Sequence, residues 1–208
     1  LGVASIAGIS SVSHAIIAGL NADASSLLGG EVDLQLSQRP ANEEQLAWLQ
    51  ANGKVSSIVE TRTMARNPAR TAHQLIELKA VDKNYPLFGE IKLLHGGSLS
   101  TALVRQDDVW SAVAGPGLLK QLGLKKGDLV SVGKTEFRIA GIIKHEPDRG
   151  TQIFALGPRL MVPLSALPET SLIKPGSLAH YHYRIDMDAP VHQWIRKLNE
   201  RFGNAGWR

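Results

Sequence analysis

Residues 180–203 read HYHYRIDMDAPVHQWIRKLNERFG, and this stretch decides the fold class. From His180 to Met187 it predicts a strand, with His180 and His182 on one face and Tyr181 and Tyr183 on the other. From Pro190 to Phe202 it predicts a helix. Val191, Trp194, Ile195, Leu198 and Phe202 fall at helical spacing on one side, Pro190 suits the first turn, and Gly203 supplies the stop. A strand running into an amphipathic helix has apolar faces that it cannot bury alone, so its partners must come from elsewhere in the chain.

Those partners lie near the other end. Glu31-Val32-Asp33-Leu34-Gln35-Leu36 alternates polar with apolar residues, which predicts a strand with Val32, Leu34 and Leu36 facing a core. Asn42 followed three residues later by Gln45 has the pattern of a capping box, so a helix is expected from about Glu43 to Asn52, stopped by Gly53. Val55 to Arg66 and Ala72 to Asp82 are rich in β-branched and alternating residues, with Ile76, Leu78 and Ala80 on one side. Asn67-Pro68 between them predicts a hairpin. The two ends together form an α+β layer, residues 29–84 and 176–208, that neither end completes by itself.

The middle, residues 85–175, has a different texture. Short apolar runs are punctuated by Gly96-Gly97, Gly115-Pro116-Gly117, Gly127-Asp128, Gly133, Gly141 and Gly157-Pro158. It reads as a β-rich insertion, with strands at Leu129 to Val132 and Phe137 to Lys144 joined through Gly133-Lys134, and a short helix from Leu118 to Leu122. With 20 glycines, 10 prolines and few aromatics in 208 residues, composition also favours sheet over a helical bundle.

Leu1 to Leu20 contains no Asp, Glu, Lys or Arg and is rich in Ala, Gly, Ser, Ile and Val. About 20 helical residues span the ~30 Å hydrocarbon core of a bilayer. His14 and Ser5, Ser10, Ser11 and Ser13 make the segment a poor complete span. We therefore expect residues 1–28 to be the outer end of a transmembrane helix that continues as a stalk, although a small-residue helix buried in a soluble domain shares this pattern. The net charge is +4, but the basic residues are scattered and the densest pairing is Lys125-Lys126, so no run is fitted to nucleic acid. Cysteine is absent.

Chemistry-bearing motifs fall short on spacing. Gly127 to Thr135 resembles a phosphate-binding loop, but it has five residues between the glycines where four are needed, and a strand follows instead of a helix. Gly96-Gly97-Ser98-Leu99-Ser100 has Ser100 where a nucleophile elbow requires glycine, and His95 beside it reads as a loop residue. His180 and His182 share a strand face without a third metal ligand in view. Asp107-Asp108, Glu146-x-Asp148 and Asp186-x-Asp188 read as solvated turns. No catalytic, cofactor-binding or metal residue is assigned.

The run Glu77-Leu78-Lys79-Ala80-Val81-Asp82-Lys83 followed by Asn84-Tyr85-Pro86-Leu87-Phe88-Gly89, and the run Leu122 to Asp128, resemble segments of MacB-like periplasmic core domains. Phe137 to Ile143 resembles the strand that follows them in that family. Ala155 to Leu164 and Ile173 to Ser177 resemble more closely the YbbP-like branch of the FtsX/MacB superfamily. The resemblance covers nearly the whole chain.

It implies a discontinuous porter-like layer (29–84 and 176–208), an inserted Sabre-like domain (85–175) and a stalk (1–28), standing outside the inner membrane in an ABC-transporter permease. It also implies a separate ATP-binding subunit, mechanical coupling of its cycle through the stalk, a hydrophobic substrate or lipoprotein, a periplasmic partner and no cofactor. The competing expectations are a small periplasmic hydrolase and a β-domain that binds an anionic polymer.

Overall fold

A computed structural model of the chain describes residues 31–69, 71–151, 157–174 and 176–208. The expected stalk, residues 1–28, lies outside the described residues. Among the described residues ten strands and four α-helices follow one another as β1 (Val32–Ser37), α1 (Glu43–Ala51), β2 (Lys54–Arg66), β3 (His73–Val81), β4 (Lys92–Leu93), α2 (Leu99–Ala102), β5 (Arg105–Gln106), β6 (Val109–Ala114), α3 (Pro116–Leu122), β7 (Leu129–Val132), β8 (Thr135–His145), β9 (Arg159–Pro163), β10 (Ala179–Asp186) and α4 (Val191–Phe202). The fold is α+β.

One mixed sheet runs in the order β1-β10-β2-β3-β9-β6-β8-β4, with β5 on β6 and β7 bridging β2 and β8. Its pairings are antiparallel except β3 with β9 and β6 with β8. The β2–β3 hairpin forms where the Asn67-Pro68 break predicts it, and β10 lies between β1 and β2. Val32, Leu34 and Leu36 sit opposite Ile185, Tyr183 and Tyr181, so the apolar sides of β1 and β10 form one buried face.

Helices α1 and α4 pack on that face, and the ends of α1 are chemically specified. In α1, Asn42 Oδ1 accepts from the Gln45 backbone N–H at 2.8 Å and Gln45 Oε1 accepts from the Asn42 N–H at 3.0 Å, closing the capping box. Glu43 and Glu44 occupy its first turn, where the helix dipole favours negative charge. The α1 stop differs from expectation. Asn52 is the cap, and Gly53 is required by close approach instead, since a Cβ there would lie 2.6 Å from Ile185 Cγ2 and 2.8 Å from the Asp186 carbonyl oxygen.

In α4 the buried stripe centres on Trp194 and Leu198, narrower than the five-residue face read from spacing; Val191 and Ile195 are 39% and 38% exposed. Trp194 tilts against Trp48 at 5.3 Å and donates from Nε1 to the Asn52 carbonyl at 2.9 Å. The bulk of the indole seats the helix on α1 by that edge and leaves the flank of the stripe in solvent.

The sheet and its core continue through the middle of the sequence. Ile76, Leu78, Ala112, Phe137, Ile139, Leu160, Val162, Tyr183 and Leu198 belong to one apolar cluster. A smaller cluster on the opposite face joins Ile58 and Val81 to Tyr85, Ile91, Leu93, Leu99, Val113, Ile143 and Met161. Val32 to Leu36 and Tyr183 therefore share a core, and β9, from the expected insertion, is paired directly to β3 of the expected layer.

The Gly133-Lys134 turn joins β7 to β8, as its glycine predicts. Gly133 has φ +59°, a Cβ there would come 2.2 Å from the Thr170 carbonyl oxygen, and the Lys134 N–H donates to that same oxygen at 3.0 Å. Gly133→Ala should cost about 2–3 kcal/mol through strain and collision. Urea unfolding would show a lowered midpoint at constant slope; a change within about 0.5 kcal/mol would contradict the close approach.

Candidate functional site

The face of the sheet opposite α1, α3 and α4 carries charge on alternate positions. Asp33 on β1, His182 and Arg184 on β10, Glu60 on β2, Glu77 and Lys79 on β3 and Arg159 on β9 all project there, because their strand neighbours face the main core. The segment after β8 brings Glu146 and Asp148 onto them, and the segment after β3 brings Tyr85. The result is a buried ionic junction. Lys79 and Arg159 are each 1% exposed.

The junction is densely bonded around Lys79 and Asp148. Lys79 Nζ donates to Tyr85 Oη at 2.8 Å, Glu146 Oε1 at 2.9 Å and Asp148 Oδ2 at 2.6 Å, which uses all three ammonium hydrogens. Tyr85 Oη donates onward to Asp148 Oδ1 at 2.7 Å, and its ring centroid lies 4.5 Å from Lys79 Nζ. Arg159 Nε donates to Glu146 Oε2 at 3.2 Å and Nη1 to Glu60 Oε1 at 3.4 Å, with Glu77 Oε2 at 3.9 Å. Arg184 Nη1 donates to Asp148 Oδ2, and its Nε lies 3.8 Å from Asp33 Oδ2. His182 Nδ1 is 3.2 Å from both Asp33 oxygens.

Electrostatics follows from this geometry. Burial by itself would raise the Asp148 pKa, but the charges of Lys79 and Arg184 and the hydrogen bonds from Lys79 and Tyr85 outweigh it, holding the carboxyl well below the usual range. Tyr85 moves the other way. Burial, then the charges of Asp148 and Glu146, push its phenol well above 10. Burial lowers the Arg159 pKa, yet Glu146, Glu60, Glu77 and Asp148 together leave it raised.

Here the sequence expectation needs correction. Glu146-x-Asp148 is not a solvated turn; both residues are buried, at 5% and 3% exposure. Lys79, Arg159 and Arg184, which look scattered in sequence, converge on them. The available signal was a lysine at position 79 between β-strand core residues Leu78 and Ala80, but such a charge ordinarily marks a wet face. The junction pairs buried charges and ties β1, β2, β3, β9 and β10 to the segments that follow β3 and β8.

A second feature opens on the helical face. Pro40, Ala41 and Leu46, with Leu164, Leu167, Pro168 and Ile173, wall an apolar groove of about 470 Å3 whose floor includes Ser57, Val59, Tyr181 and Tyr183. Tyr183 Oη accepts from the Ala41 N–H at 2.8 Å, and its ring meets Trp207 edge-on at 5.9 Å. Burial raises the pKa of both phenols. Arg208 and Gln35 exchange backbone hydrogen bonds at 2.9 and 3.1 Å beside it, and Arg39 donates to the Ala205 carbonyl.

The remaining motifs resolve into local structure. Gly127 to Thr135 spans β7 and its turn. Ser98 caps α2, accepting from the Thr101 N–H at 3.2 Å, and its hydroxyl contacts those of Ser100 and Thr101. His180 contacts Gln35 and Ser37, whereas His182 contacts Asp33. Among the described residues no group of three or more His, Asp or Glu side chains has metal-binding geometry. Asp107 and Asp108 form an exposed turn between β5 and β6 with positive φ at both residues.

Comparison with known proteins agrees with the architecture. The chain is 32% identical over 188 residues to an uncharacterized ABC transporter permease, YbbP, of Escherichia coli (strain K12), covering 88% of this chain and 22% of that protein. The extracellular domain of the noncanonic ABC-type transporter YknZ from Gram-positive bacteria has a similar fold, with a TM-score of 0.53 and 14% identity over 83% of this chain and 95% of that one. The periplasmic region of MacB from Actinobacillus actinomycetemcomitans also does, with a TM-score of 0.52 and 15% identity over 87% and 86% of the two chains. Among the described residues no helix is long and apolar enough to cross a membrane. The family model for the MacB-like periplasmic core domain matches residues 1–192, and the chain belongs to that family of ABC-transporter permease domains.

Proposed function

We propose that this domain couples ATP-driven motion of a permease to the export or extraction of a hydrophobic substrate or lipoprotein. The ATP cycle runs on a separate cytoplasmic subunit, residues 1–28 act as the stalk, and a periplasmic partner docks on the domain. Residues 29–84 and 176–208 act as the layer that receives displacement, and residues 85–175 as the insertion that passes it on.

The observation that carries this reading is the fastening at the sheet edge. The Glu31 backbone N–H donates to the Ile185 carbonyl of β10 at 2.9 Å, and Arg208 is bonded through its backbone to Gln35 of β1, so these two segments meet at the β1–β10 end of the sheet. From there β10 carries Arg184 to Asp148, and the ionic junction ties layer to insertion without a flexible step. Rigid, buried fastening suits transmission of force, whereas flexible linkers absorb it. Continued as one helix, residues 1–28 would extend roughly 40 Å at 1.5 Å per residue.

A short glycine-rich insertion near Ser10 tests the proposal. Thermal unfolding of the 208-residue chain should change little, while transport by the full-length complex is abolished. Unfolding of the domain by that insertion would make residues 1–20 part of the core, and intact transport would end the coupling idea.

A further inference from the structure

The groove is lined by apolar side chains and by three hydroxyls, those of Ser57, Tyr181 and Tyr183, with no charged residue in its walls. Its volume of about 470 Å3 falls in the ~300–1,000 Å3 range of small-molecule sites. The floor offers nothing to an added peptide strand, since β10 is already paired with β1 and β2, and β2 with β10 and β3. The nearby backbone donors are engaged as well: Ser57 N–H donates to Asp82 Oδ2 at 2.7 Å, and Ala41 N–H to Tyr183 Oη at 2.8 Å. An extended peptide would bury a donor and an acceptor per residue without partners, whereas a hydrocarbon brings none.

Charge appears only beyond the lining. Exposed Arg39, which precedes Pro40, gives Nη2 to the Ala205 carbonyl and Nη1 to the Pro40 carbonyl and keeps its other guanidinium hydrogens; exposed Lys174 follows Ile173, while the acid adjoining Pro168, Glu169, is paired with Arg105 at 3.2 Å. Arg39 is near enough to Tyr183 for its charge to act on that phenol. An uncharged trough flanked by cations matches a ligand with a long apolar tail and an anionic head.

We propose that the groove binds one long acyl chain of a fatty-acid-like anion, with its head held by Arg39 and Lys174. This rests on the reading above that the transported matter is hydrophobic, and it names the place where the domain touches it. Tyr183 then links occupancy to the sheet edge, because the same ring lines the groove and packs on Trp207.

The test uses the 208-residue chain with dansyl-labelled undecanoate as the fluorescent ligand. Saturable binding is expected, displaced by palmitate and less well by its uncharged methyl ester. Ile173→Trp, at a half-buried lining position, should weaken binding at least about tenfold by filling the trough, and Arg39→Glu should weaken it several-fold with reduced salt sensitivity. Leu46→Trp repeats the first test from the opposite wall should Ile173→Trp unfold.

Absence of saturable binding, or unchanged affinity in a folded groove-filling variant, would overturn the site. So would sedimentation showing that Ile173→Trp disperses a self-associated chain without altering ligand affinity, which would make a second copy the occupant. If no ligand binds yet Ile173→Trp blocks transport in the intact permease, the acyl site falls and the coupling proposal stands. If ligand binding is lost in Ile173→Trp while the Ser10 insertion leaves transport intact, the acyl site stands and the coupling proposal falls.

Discussion

Lys79→Met should destabilise the chain by about 3–5 kcal/mol, the usual cost of removing one partner from a buried ionic group. The lysine gives all three of its hydrogens to Tyr85, Glu146 and Asp148, and none of these oxygens can turn to solvent from where it is buried. Methionine nearly matches the alkyl chain in volume, so cavity formation contributes little and the loss reports the uncompensated carboxylates. For a domain of this size a change of that order lowers the thermal midpoint by roughly 10 °C. Combining Lys79→Met with Glu146→Gln and Asp148→Asn should recover part of the loss, because the charges left behind are then removed too. A Lys79→Met variant within about 1 kcal/mol of the parent, measured by urea unfolding, would mean that the junction is not the fastening described above.

Acid should weaken the domain through Asp148. Its pKa in the folded state is depressed, so its contribution is fully present above the unfolded value, near ~3.9, and is lost as pH falls toward the folded one. Between about pH 5 and about pH 3 this one group should remove roughly 1 kcal/mol, at about 1.4 kcal/mol per unit of pKa difference. Asp148→Asn should flatten that slope while lowering stability at neutral pH. Tyr85 acts at the opposite extreme: its raised pKa gives a contribution present below its ordinary value of 10.0 and lost as pH rises through the folded value. Urea midpoints measured across the pH range for the parent and Asp148→Asn check the acid limb. Parallel curves for the two proteins would show that Asp148 does not carry it.

The two expectations bear on the transporter as well as on stability. Asp33, Glu60, Lys79 and Arg184 belong to residues 29–84 and 176–208, whereas Tyr85, Glu146, Asp148 and Arg159 come from the middle of the chain. If the domain couples motion as proposed above, loosening the junction separates motion of the layer from motion of the insertion even where the fold survives. In the intact permease, a Lys79→Met variant that still folds is expected to lose transport before it loses assembly.

Local patterns determined several of the elements by themselves, though not β6 or β9 in the middle of the sheet. The alternation in Val32 to Leu36, the Asn42/Gln45 box, the break at Asn67-Pro68 and the periodicity after Pro190 each act over a few residues, and each appears where its chemistry places it. The order of short motifs was also enough to identify the family, now matched over residues 1–192. Tertiary structure alone decided which charged face is covered. Whether Lys79 or Asp148 meets water depends on residues far away in sequence that fold over it, and a charge on a strand carries no mark of its cover. The same is true of the groove, whose walls come from segments around residues 40, 57, 165 and 182. Period and propensity are properties of neighbours along the chain; burial of an ion cluster and the shape of a trough are properties of neighbours in space.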